Sequence, residues 1–428
     1  MTAVSRAPGP RSHGTDRHGG PGARRRRGLA SSALLVVALL AAAACSSSGD
    51  DAGVAETGDA ATTSTTSAPA APIVLSGQGN DLVAYATDEP GDSQVVLTNK
   101  EDDPETGRDI NAQICFFPDD PTQFIAGEDT NQPDPLQGWG IFRLEGDTVG
   151  DLSATQVGKL TPTYQGSADN AENYGCGFLS DGRVVTSDIG NQASGEGDGQ
   201  LIVWFPPFTG GEYVDGADNA GFDDVAFCKV DVGIATAGGI FVDGDDNVYV
   251  GSARPPTAGV LRYSGDWPTG PDAAGGCGRT DGTGAPLVDE GAVTREVFIS
   301  AGENGLSTPH SIAPAPDDGF YVSSIITGVI NEYDAGGAFL RTILEPPAGE
   351  ALGPEPFSTG TPLGLGVAPD GTLYYADIGV VADPVDGFGP GDDTGSVRAI
   401  VFVDGEPQPP ETLDEGLAFP DGIGVFVP

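Results

Sequence analysis

Beyond residue 44 the chain contains a single histidine, His310, in Thr308-Pro-His-Ser-Ile312. An imidazole suits proton transfer near neutral pH, so His310 is the candidate catalytic base for activating water. The same side chain could instead be a metal ligand, or a histidine satisfied inside the fold. Oxygen donors are more numerous. Asp421, Asp188, Asp377 and Asn173 stand at the ends of apolar runs, and three carboxylates and an amide brought to one point would hold a hard cation. An oxygen-only set favours Ca²⁺, with Mg²⁺ the alternative, and the ion would polarise a substrate carbonyl. Acids in such places also cap turns by accepting from nearby backbone N–H groups, which is the competing role for each of them. Tyr174, Gln113, Asp88, Glu128 and Asn191 occupy neighbouring places in the pattern and are the candidate substrate-binding groups.

Other chemistries leave no trace. There is no Gly-x-Ser-x-Gly elbow, no phosphate-cradling Gly-Lys-Ser/Thr and no dinucleotide fingerprint. Asp243-Gly-Asp-Asp-Asn247 has the composition of a calcium loop, but Val248 and Arg254 stand where an EF-hand needs Gly and Glu, so it reads as a hairpin turn. Trp139, Trp204 and Trp267 fall in or beside strand-like runs and read as packing residues.

What would bring the polar residues together is an internal repeat. Gly175–Asp188, Gly239–Ser252, Ser311–Ser324 and Gly364–Asp377 each read as two strands around a turn acid, and a third strand opens after a glycine or glutamine further on. In all four the turn acid (Asp181, Asp245, Asp317 or Asp370) precedes the end of the second strand by seven residues. Residues 113–144 hold a degenerate fifth copy. A sixth is divided: Gly422–Phe426 reads as a first strand without its hairpin, and Asp81–Asp88 with Gln94–Leu97 as a hairpin without its first strand. Joining the two protects the edges and closes a ring. The expected fold is therefore all-β, a six-bladed β-propeller whose N- and C-terminal strands share one blade. The residues preceding the first strands, Gln113, Tyr174, Gly238, His310, Leu363 and Asp421, should ring one mouth of the channel. Asp88, Glu128, Asp188, Ser252, Ser324 and Asp377, at the ends of the second strands, should form an outer ring.

The run Pro362-Leu-Gly-Leu-Gly-Val-Ala-Pro-Asp-Gly-Thr-Leu-Tyr-Tyr-Ala-Asp377 resembles the SMP-30/gluconolactonase-like and NHL-type six-bladed propellers. The resemblance extends as a pattern over most of residues 73–428. It implies either a metal-dependent lactonase or esterase, or a non-catalytic binding propeller. His310 and Ser311 stand where the metal lactonases often carry Asn and Gly.

The N-terminus reads as an address. Residues 1–44 hold seven arginines and one acid, and Arg24–Arg27 precede Leu29–Ala44, a 16-residue run without charge. A basic start, a short apolar stretch and small residues before a cut describe a signal peptide. Leu40-Ala-Ala-Ala-Ala-Cys45 is similar to the lipobox of bacterial lipoproteins, so Cys45 is the expected lipidation site and the outer face of the cell membrane the expected location. Residues 45–72, rich in Ser, Thr, Ala and Pro, form the expected tether, and residues 73–428 the folded domain. Four further cysteines in an exported chain predict two disulfides, with three possible connectivities. Cys115 and Cys176 lie two residues past equivalent mouth positions in adjacent blades, which favours Cys115–Cys176 and Cys228–Cys277.

After the leader, 12 basic residues face 62 acidic ones. That excess excludes nucleic acid as a partner, because phosphates would be repelled. The expected partner is a neutral or cationic small molecule or an extracytoplasmic protein, with membrane contact only through the lipid anchor and the chain a monomer. Two functions remain open: a Ca²⁺-dependent hydrolase of lactones or esters, and a non-enzymatic propeller that binds through its mouth and its long loops.

Overall fold

The computed structural model describes residues 70–79, 81–98, 109–129, 138–161, 171–191, 199–212, 214, 221–282, 284–383 and 387–428. Cys45, the leader and the tether up to residue 69 lie outside the described residues.

Six antiparallel meanders surround one axis. The closing blade holds β1 (Ile73–Gln78), β2 (Asp81–Ala86) and β3 (Ser93–Thr98), and its axial strand is the last of the chain. The second holds β4 (Asp109–Phe117), β5 (Asp120–Asp129), β6 (Gly138–Glu145) and β7 (Ser153–Leu160). In the third are β8 (Ala171–Phe178), β9 (Val184–Asn191), β10 (Gly199–Trp204) and β11 (Phe227–Ile234). The fourth has β12 (Ala237–Val242), β13 (Val248–Ser252) and β14 (Gly259–Gly265). It lends β15 (Arg279–Thr280) and β16 (Pro286–Leu287) to the third before ending in β17 (Val293–Ser300). The fifth comprises β18 (Pro309–Pro314), β19 (Phe320–Ser324), β20 (Val329–Tyr333) and β21 (Phe339–Leu344). The sixth opens with β22 (Pro362–Val367) and β23 (Leu373–Asp377). A hairpin, β24 (Val380–Asp383) and β25 (Gly387–Pro390), precedes its third strand, β26 (Gly395–Ile400). A second hairpin, β27 (Phe402–Val403) and β28 (Glu406–Pro407), precedes its outer strand, β29 (Glu411–Leu417). Finally β30 (Pro420–Phe426) returns to the axis and pairs with β1, Ile73 opposite Phe426 and Val74 opposite Val425.

Three of the second strands are buried from end to end. Val-Tyr-Val-Gly-Ser in β13, Phe-Tyr-Val-Ser-Ser in β19 and Leu-Tyr-Tyr-Ala-Asp in β23 pack on both faces, which is why they read as apolar or small without alternation. Six apolar clusters fill the spaces between neighbouring blades. Fully burying a Leu or Ile side chain there contributes roughly 1.5–3 kcal/mol. Trp139, Trp204 and Trp267 belong to these clusters. Asp243 accepts the N–H groups of Asp245 and Asn247, each at 2.9 Å, so the calcium-like segment is a capped hairpin turn.

The ring, its shared blade and both disulfides agree with the sequence. Cys115 of β4 bonds Cys176 of β8, and Cys228 of β11 bonds Cys277 in the excursion that carries β15 and β16. That excursion lays β16 parallel to β11 and covers the edge of the third blade. Strand order in the closing blade differs from the expectation. Ile73–Gln78 is its second strand, so Asp81–Ala86 is its third and runs away from the mouth. Asp88 therefore lies in the turn after β2, exposed at the opposite end of the blade. It does not join the outer ring.

Candidate functional site at the propeller axis

Three strands from alternate blades place their side chains in one cluster. Tyr174 of β8 donates its hydroxyl to Asp421 Oδ1 of β30 at 2.8 Å. Its ring meets the His310 ring of β18 edge-on, with centroids 4.0 Å apart. The backbone of Leu363, on β22, takes a hydrogen bond from the imidazole. Tyr174, His310, Leu363 and Asp421 thus meet as the alignment of repeats predicts, and all four are buried.

Glycines permit this approach. A Cβ on Gly422 of β30 would fall onto the carbonyl of Ala112 in β4, so only a bare backbone lets the two axial strands come this close. Above the cluster, Ile378 and Val380 pack on Tyr174 and Leu363, with Ile325 and Leu352 beside them. The Ala382 N–H bonds the Gly353 carbonyl at 2.7 Å and ties β24 to the loop before β22. Strands β24 and β25 pair as a hairpin whose first strand covers the mouth.

His310 is neutral. Burial pushes its pKa down to about 3, against the smaller opposing effect of the hydrogen bond to Leu363. Its Nδ1 is buried without a hydrogen-bond partner. One ring nitrogen is thus held by a backbone carbonyl, and the other presents a lone pair inside the cluster.

Gln113 lies deeper and crosses the channel. Its amide donates to the Ile240 carbonyl and accepts the Ile240 N–H, both at 2.9 Å, which clips β4 to β12. Beyond it a cavity of about 200 Å³, with Ile240, Ile312, Leu365 and Ile423 in its walls, opens at the other end of the axis. Gln113 is a brace between strands.

The other candidates are engaged elsewhere. Asp377 Oδ1 accepts the N–H of Thr361 at 2.7 Å, the N–H of Gly379 at 2.9 Å and the Thr361 hydroxyl at 3.2 Å. Its Oδ2 faces the Ser396 hydroxyl at 3.4 Å. Asn173 donates to the Gly138 carbonyl at 2.9 Å and joins the third blade to the second. Glu128 forms a buried ion pair with Lys159 at 2.7 Å beside Gly140 of β6, where a Cβ would press on the Phe142 ring and come within 3.1 Å of the Glu128 carboxyl carbon. Asp188 is buried opposite Asn173 in β9. Asn191 ends β9, and its side chain lies outside the described ones.

The donor set therefore does not fit Ca²⁺. Among the described residues no group of three or more His, Cys, Asp or Glu comes close enough to hold an ion. Asp377 spends its oxygens on backbone and hydroxyl donors, and Asp421 Oδ1 accepts from Tyr174. Sequence reasoning missed the covering hairpin and Lys159. Lys159 left no mark in the sequence, because a lysine is ordinarily exposed and is fully buried only when paired, as it is here with Glu128.

No protein-family model and no curated protein matches the chain. Solved structures resemble it. A protein of unknown function from Bacteroides caccae is 12% identical over 83% of this chain and 99% of its own, with a TM-score of 0.45. A candidate 6-phosphogluconolactonase from Bacteroides uniformis is 12% identical over the same shares, 83% and 99%, at 0.42. The virginiamycin B lyase of Staphylococcus aureus is 11% identical over 80% and 81%, at 0.40. These are likenesses of fold alone, and the strand order of the chain itself makes it a six-bladed β-propeller.

Proposed function

We propose that the chain is an exported, lipid-anchored β-propeller that binds a neutral or cationic ligand, or a protein, outside the cell without metal-dependent hydrolysis. The observation that carries this reading is the engagement of two of the proposed ligands by their neighbours, Asp421 by the Tyr174 hydroxyl and Asp377 by Thr361 and Gly379. A calcium ion takes roughly six to eight oxygens, and here it would first have to strip Asp377 from two backbone N–H groups. A base works best with a pKa near the working pH. With His310 at about 3, proton transfer to it at pH 7 is uphill by about 5 kcal/mol. Its Nδ1 suits the acceptance of a hydrogen bond better than the removal of a proton. Export and anchoring at Cys45 are supported by the leader and the small-residue ending before the cysteine.

Lactone or ester hydrolysis stays as the second reading, because a histidine held by a backbone carbonyl with its other nitrogen open is the arrangement of a positioned base. One experiment separates the two. The mature protein is assayed on a lactone and ester panel with Ca²⁺ or EDTA, and its thermal midpoint is read under both conditions. The binding reading expects no turnover above buffer and the same midpoint in both. EDTA-sensitive turnover that disappears in His310→Ala would establish the hydrolase instead.

A further inference from the structure

One cavity lies away from the axis, at the seam where the chain closes on itself. It measures about 530 Å³, within the roughly 300–1,000 Å³ of small-molecule sites. One wall is the closing blade, with Pro72, Thr87 and Val427; the other is the sixth blade, with Tyr374, Ala399 and Leu413. The floor is apolar and aromatic, because Tyr374, Ala399 and Leu413 are all buried. At its rim stand two exposed carboxylates, Asp370 and Glu411, and no lysine or arginine lines it. Neither acid takes part in an ion pair among the described residues.

We infer that this seam cleft binds a small organic cation with an apolar body, such as an aryl or alkyl ammonium. The body would displace water from the floor, and the charge would sit between the two rim carboxylates. An aromatic wall adds attraction for a desolvated cation. A carboxylate or phosphate ligand would meet only repulsion. Because the two walls belong to the first and last parts of the chain, an occupant bridges the closure and stabilises the whole ring. This inference is independent of the axial reading.

Titration calorimetry of the mature chain with benzyltrimethylammonium tests it, with benzyl alcohol and phenylacetate as neutral and anionic comparators. The cation should bind and raise the thermal midpoint, benzyl alcohol should bind at least about 5-fold more weakly, and phenylacetate not at all. Asp370→Asn with Glu411→Gln should weaken the cation about 5- to 10-fold and flatten its salt dependence. Val401→Trp, at the rim, should block it. A control pair on another exposed turn, Asp317→Asn with Asp318→Asn, should change nothing. Equal affinity for cation and alcohol, absence of cation binding, or equal loss in the control pair would overturn the inference.

Discussion

Asp377→Ala is expected to destabilise the protein by about 3 to 4 kcal/mol, read from urea midpoints with and without Ca²⁺. The carboxylate is the common acceptor for two buried N–H groups and a hydroxyl, and its removal leaves Thr361 and Gly379 without that partner. Each orphaned buried donor costs about 1–3 kcal/mol, and hydrogen bonds to a charged group lie at the strong end. Asp377→Asn keeps one oxygen acceptor in the same place and should lose less than half as much. Gly360→Ala reaches the same clip from the other side. Gly360 has a φ of +96°, and a Cβ there would land on the Asp377 carboxylate. If Asp377 were instead a metal ligand, Ala and Asn would cost alike, and both losses would appear only with Ca²⁺ present.

Acidification should weaken the fold through His310. Its pKa is about 3 when folded and about 6.5 in an unfolded chain, so below pH 6.5 the unfolded state binds the extra proton. Stability contributed by the neutral ring is complete above pH 6.5 and is lost progressively as pH falls toward 3. Between pH 7 and pH 5 the loss amounts to about 2 kcal/mol. His310→Asn, which has no proton to take up in this range, should lack that part of the slope. Identical pH profiles for the two proteins would mean that the imidazole is solvated in the folded state.

The fold was readable because the repeat leaves a mark at a fixed distance. The seven-residue spacing from turn acid to strand end places the ends of β13, β19 and β23 at Ser252, Ser324 and Asp377, where the structure has them. Outer strands left no such mark. Glu411–Leu417 and Val293–Ser300 face solvent over much of their length, so they carry no apolar alternation, and the fourth strand of every blade but the closing one went unread. Asp88 was misplaced for a different reason: Ile73–Gln78 is a complete, buried second strand that the three-strand pattern could not accommodate.

For the site, the repeat placed backbones correctly but not the partners of side chains. Equivalent positions brought Tyr174, His310, Leu363 and Asp421 together, because ring geometry follows from the repeat alone. Gln113 occupies an equivalent position too, yet its amide crosses to Ile240 in the fourth blade, a contact set by channel width. Glu128 finds Lys159 two strands away, on an outer strand the pattern did not contain. Convergence of acids was thus inferred from position, whereas Glu128 and Asp377 are each engaged by local partners.

Because residues 45–428 hold one histidine, the proton NMR signal of a single imidazole in a protein made of those residues reports on the axial cluster without assignment. From pH 8 down to 4.5 that resonance should hold the shift of a neutral ring. A sigmoid centred near 6.5 would put His310 in water and dissolve the closed cluster it is held to form with Tyr174 and Leu363.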